Sequence, residues 1–416
     1  MSNNWQKAYD ELKDYISKNP TIEIAPNIVC ISSDVRPEFY RLFYRVLSGF
    51  LKDNFPALLE KSYVLSKKWD EASRVAVDSL KLESIDLEAN TRGFLLDPLD
   101  GLMRVLIDPL FDLLKGKNDL ATFEQTAASM VEDRQIAFSH EGYQSWATLS
   151  LLKLLATDKV YHVPASEVDI DPSSHVAMTV VDSIQKSVPD AVEINKISFA
   201  HSHMYSFLVP KLIGHSTSLN LFAAFFSDFD YNESRWKARM LTSERKWYGM
   251  SNITGEFGRN KLWPNMAIYI SEYWKELVVV ADCSRMAQPD IIVEFREDSD
   301  WYEKEGLETV KRHYNILKPK LGSFVVCLEP VSEAALKELE EKPALQPVAM
   351  GTEPVATVEG APQPLAVVAV DEAVINPPLN IHLLSVGYDI TKLEPIIEAI
   401  KGTKRAEATT GNPAPA

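Results

Sequence analysis

Cysteine is scarce: Cys30, Cys283 and Cys327 are the three in 416 residues. An odd, scattered set excludes a disulfide framework and a cysteine-rich zinc site, and reduced thiols in the cytoplasm are expected. Glycine is sparse too, with 16 residues. None of them builds G-x-x-x-x-G-K-[ST] or G-x-G-x-x-G, which excludes a P-loop and a dinucleotide-binding turn. G-x-S-x-G and H-E-x-x-H are missing as well. Long uncharged apolar runs are lacking. The most apolar stretch, Phe94 to Leu114, is broken by Asp97, Asp100, Arg104, Asp108 and Asp112, so no membrane span or membrane partner is expected. The N-terminus has no apolar core of the kind a secretory signal needs. Positive charge is the minority, 43 Lys+Arg against 59 Asp+Glu for a net −16. A surface basic throughout is excluded, and any nucleic-acid contact needs a local patch.

What is present suits a packed protein of two domains: 46% hydrophobic and 25% charged residues are near the globular average. Residues 1–160 read as a helical domain. Phe39, Leu42, Phe43, Val46 and Leu47 carry the i, i+3, i+4, i+7, i+8 spacing of one helix face, with Pro37 near its start. Asp97-Pro98 and Asp108-Pro109 each read as an N-cap followed by a first-turn proline. Further helices are expected over 119–133, 142–156 and 174–187.

Residues 161–330 read as an α/β domain. Phe207–Ser216 and Leu219–Phe229 form an expected hairpin, followed by strands Met266–Tyr273, Glu276–Ser284 and Ile291–Glu297. A helix over 300–317, with Asp300 as cap, buries Leu307, Val310, Tyr314 and Leu317, and a buried strand in GSFVVC follows. Residues 331–378 are rich in Pro, Ala and Val and read as a linker or insertion. Residues 379–402 read as a strand–helix pair returning to the sheet, and 403–416 as a disordered tail. The expected fold is thus a helical N-terminal domain followed by a mixed β-sheet domain of α+β or α/β type.

Period-2 geometry sets Ile292, Glu294 and Arg296 on one strand face and Ile291, Val293 and Phe295 on the other. Asp282 ends the strand before. Two carboxylates on paired strands repel unless a cation lies between them, and Mg²⁺ takes one or two carboxylates plus waters and phosphate oxygens. The order helix–strand–strand–strand–helix–strand with Asp282…Glu294-x-Arg296 resembles the restriction-endonuclease-like (PD-(D/E)xK) nuclease superfamily over about residues 235–330. The resemblance implies Asp282 and Glu294 as metal ligands for Mg²⁺ or Mn²⁺. It also implies Arg296 in the position of a catalytic lysine, where a permanently protonated guanidinium stabilises charge but is a poor base.

A basic stretch precedes these strands. Arg235, Lys237, Arg239, Arg245, Lys246, Arg259 and Lys261 are interleaved with Trp236, Trp247 and Tyr248, a mixture that tracks phosphates and stacks bases. The same composition fits an amphipathic helix with snorkelling stems. His201 and His203, with His215 or Asp228, form a rival metal set. Three functions follow. One is a Mg²⁺-dependent nuclease-like protein acting on DNA, or descended from one. The second is a non-catalytic α+β binding or scaffold protein whose helical half recruits a partner or self-associates. The third is a histidine-centred metallohydrolase.

Overall fold

The computed structural model of the protein describes residues 4–162, 192–199, 212–227, 247–249, 264–277, 285–340 and 379–410. The N-terminal region holds seven helices among the described residues: α1 (Asn4–Lys18), α2 (Arg36–Asn54), α3 (Pro56–Leu80), α4 (Ala89–Leu96), α5 (Pro98–Val105), α6 (Ile107–Leu114) and α7 (Leu120–Leu154). Helix α2 buries Phe39, Leu42, Phe43, Val46 and Leu47 as their spacing predicts. Each contributes about 1.5–3 kcal/mol on leaving water. Asp97 caps α5 by accepting from the backbone N–H groups of Leu99 and Asp100. Asp108 does not cap; it lies inside the first turn of α6, which starts one residue earlier.

The region is not wholly helical. A hairpin of β1 (Ile22–Ala25) and β2 (Ile28–Ile31) joins α1 to α2. Strand β3 (Ser84–Asp86) pairs with β6 (Lys196–Ser198). Each of these strands has only three or four residues, too few for alternation to stand out from chance. The expected break between helices at 133 and 142 is also absent. Gly142 is a contact point inside one helix, where an added Cβ would lie 3.1 Å from the methyls of Leu65 and Leu95. From Gly142 to Leu152 every residue of α7 is buried, as for a helix covered on all sides.

What covers it is a mixed sheet, eight-stranded among the described residues, in the order β14-β13-β12-β10-β8-β7-β4-β5. Its strands are β4 (Lys159–His162), β5 (Val192–Glu193), β7 (Leu212–Ser216), β8 (Leu221–Ser227), β10 (Met266–Ser271), β12 (Ile291–Arg296), β13 (Gly322–Cys327) and β14 (Ile381–Ser385). The expected hairpin is β7–β8, antiparallel with Ser216 opposite Leu221. A separate pair is formed by β9 (Trp247–Gly249) and β11 (Arg285–Ala287). Helix α8 (Leu307–Leu317) follows a π-helical turn over Tyr302–Gly306 and carries the chain from β12 to a parallel β13. Leu307, Val310 and Leu317 are buried along it.

Two helices depart from the expected boundaries. Helix α9 (Glu333–Glu340) occupies the start of the stretch assigned to the linker, and residues 341–378 lie outside the described residues. Helix α10 (Glu394–Thr410) runs into the stretch expected to be a disordered tail. The expected helix over 174–187 lies outside the described residues. The apolar core is continuous from Trp5 and Phe39 through Trp146 and Leu151 to Val293, Phe295 and Ile397. Among the described residues no helix is long and apolar enough to cross a membrane.

Candidate functional site

Strand β12 alternates as expected. Ile291, Val293 and Phe295 enter the core shared with α7, while on the other face Glu294 meets His313 of α8 and Arg296 lies against Trp301. Its neighbours differ from those expected. Both hydrogen-bonding edges of β12 are taken, by antiparallel β10 and parallel β13. Residues Trp274–Leu277 form a 3₁₀ turn where the strand Glu276–Ser284 was expected to start. The neighbour of β12 on this side is therefore β10; the pairing ends at Met266–Val293, and the residue before it, Asn265, takes the next contact through its side chain, accepting from Phe295 N. Asp282 lies outside the described residues.

Glu294 is 2% exposed. Arg296 NH2 donates to its Oε2 at 3.0 Å, and His313 Nδ1 lies 2.6 Å from its Oε1. Burial alone would raise the carboxyl pKa, yet Arg296 and His313 together outweigh it and hold the group below the usual carboxylate range. Arg296 is itself constrained. Its NH1 donates to Phe295 O at 2.9 Å and Asn265 Oδ1 at 3.3 Å, and its guanidinium lies 5.7 Å from the Trp301 ring centroid. Cys327, opposite Arg296 on β13, is buried, and burial pushes its thiol up to about 12, with Arg296 opposing. Both cysteines described are unbridged.

Asn265 extends the network to the helical layer. Phe295 N donates to its Oδ1 at 2.9 Å, and Gln144 Nε2 to its backbone O at 3.0 Å. Its Nδ2 lies 3.2 Å from His140 Nε2, whose Nδ1 is 2.9 Å from Glu297 Oε1. Sequence reasoning named Glu294 and Arg296 but missed Asn265, His140 and His313. A signal existed for His313: it falls between Val310 and Leu317 on the buried stripe of α8, where a histidine needs a partner.

The other expected site residues are not assembled here. Arg235, Lys237, Arg239, Arg245, Lys246, Arg259, Lys261, His201, His203 and Asp228 lie outside the described residues, and Trp247 is placed only as backbone in β9. His215, on β7, packs on Phe222 with ring centroids 4.3 Å apart, and its Nδ1 is 3.4 Å from Asp158 Oδ1. Among the described residues no three His, Cys, Asp or Glu side chains gather as a metal site would require. Comparison with protein-family models, with curated proteins and with solved structures gives no match.

Proposed function

We propose that the chain is a non-catalytic α+β binding protein in which Glu294-x-Arg296 braces the interior. The observation that carries this reading is that both Glu294 oxygens are engaged by Arg296 and His313 at 2% exposure. A Mg²⁺ ion needs oxygen ligands at about 2.1 Å and keeps several waters; reaching Glu294 would mean displacing both the Arg296 guanidinium and the His313 ring and wetting an apolar layer. Beside them stands a neutral amide, Asn265, whose Oδ1 already accepts from Phe295 N and Arg296 NH1. The helical half would then supply the partner surface, and the basic 235–261 stretch a salt-sensitive contact with DNA.

Mg²⁺-dependent hydrolysis of DNA is the second reading. The antiparallel run β8-β10-β12, a helix and a parallel β13 supports it in part, because it has the strand–strand–strand–helix–strand portion of the expected order, though β8 lies before the 235–330 stretch that carried the resemblance. Incubating the full chain with duplex and single-stranded DNA plus Mg²⁺ or Mn²⁺ separates the two. Under the binding reading neither the wild type nor Glu294→Gln cleaves. DNA binding, measured alongside, should weaken as salt rises and on reversing the charges of Arg245 and Lys246. Metal-dependent cleavage that Glu294→Ala abolishes would replace the binding reading with the nuclease.

A further inference from the structure

Where α7 meets the sheet, the hydrogen-bond pattern fixes a protonation state. The N–H of Phe295 and NH1 of Arg296 can only donate, so the Asn265 amide presents Oδ1 to them and cannot turn over. Its Nδ2, also only a donor, then faces His140 Nε2 at 3.2 Å. That nitrogen must accept, which leaves the ring proton on Nδ1, directed at Glu297 Oε1 2.9 Å away.

We infer that His140 is a protonation-sensitive latch between helix α7 and the start of β10. As the neutral Nδ1–H tautomer it closes the chain Asn265–His140–Glu297. Once a proton from solvent adds to Nε2, both ring nitrogens donate. The new Nε2–H then meets the Nδ2–H of Asn265, the Asn265 link breaks, and the Glu297 contact becomes an ion pair. The side chain of His140 is 28% exposed, so solvent reaches it.

The charged surroundings favour this exchange of partners. Glu297 touches the ring, while Arg296 lies beyond Oδ1 of Asn265 and Glu294 beyond Arg296. On α7 itself Glu141 is turned away to the Thr91 hydroxyl. Tyr143 and Tyr388, close to Glu297, are kept protonated first by burial; Cys327 and Tyr388 come next for Tyr143, ahead of Glu297, and Glu297 and Glu329 for Tyr388. The Gln144 bond to the Asn265 backbone does not titrate, so the latch releases a side chain and leaves the helix seated.

Histidine ¹⁵N NMR and hydrogen exchange on the full chain test the latch, with His140→Gln as control, because a glutamine oxygen can accept from Asn265 without titrating. At about pH 8 the His140 ring should report the Nδ1–H tautomer, the minor form of a free imidazole. On acidification to about pH 5.5, peptides over 264–271 should exchange about fivefold faster than the intrinsic pH effect, the equivalent of one ordinary hydrogen bond, while the second half of α7 follows the intrinsic effect alone. His140→Gln should show no such acceleration. An Nε2–H tautomer in the neutral wild type overturns the inference without any variant, and so does an equal pH response in the two proteins.

Discussion

At the scale of single residues, Glu294 distinguishes an internal brace from a metal ligand. A carboxylate in an empty metal site is relieved when its neighbour goes, so its removal leaves stability unchanged or raised. Removing this one strands Arg296 and His313 in the interior, and Glu294→Ala should cost about 3–5 kcal/mol in urea denaturation. Glu294→Gln should cost less, since an amide oxygen still accepts one bond. The pH dependence has a definite sign. The folded carboxyl pKa is lowered, so the stability it contributes is complete above the ordinary glutamate value of about 4.3 and is lost as pH falls through the lower folded value. Wild type should therefore lose more stability than Glu294→Gln across that acidic window. Arg296→Lys should also destabilise, by about 1–3 kcal/mol, because one ammonium cannot serve Glu294, Asn265 and the Trp301 face together.

At the scale of elements, the tight turn between α4 and α5 depends on a small residue. A Cβ at Gly101 would lie 2.5 Å from the Cα of Phe94, a backbone that has no rotamer to yield. Gly101→Ala should lower stability by about 1–3 kcal/mol, and Asp97→Ala by about 1 kcal/mol through loss of the α5 cap; thermal melts of both variants check the two values. Elements with a long period were legible in the sequence: the α2 stripe, the β7–β8 hairpin, α8 and the buried strand β13. Elements that depend on partners were not. The neighbour of β12 was one of them: a strand expected between β10 and β12 in the sequence suggested a different partner, and only the sheet order shows β10 directly beside β12. Likewise Glu294-x-Arg296 could be read from period-2 spacing, but the contact of Glu294 with His313, which lies 19 residues further along the chain, leaves no local trace.

At the scale of the whole molecule, the helical region and the sheet share a single core through α7. Such a core should unfold as one unit. Tryptophan fluorescence and far-ultraviolet circular dichroism should give coincident denaturant transitions; two separated transitions would mean that the layers are independent. A fragment ending after α7 should aggregate, because Tyr143, Trp146, Ala147 and Leu151, buried in the full chain, would lose the sheet that covers them.

The parallel pairing of β13 with β14, Ser323 opposite Ile381 through Cys327 opposite Ser385, sets a chain-statistical condition on everything between them. Bringing two ends together costs an entropy that grows only with the logarithm of the intervening length, so each doubling costs only about 0.6 kcal/mol. Deletions in it that spare α9, whose Ala335 is fully buried, should therefore be nearly neutral for the fold. Removing half of residues 341–378 should leave the β13–β14 pair intact and change stability by no more than about 0.6 kcal/mol.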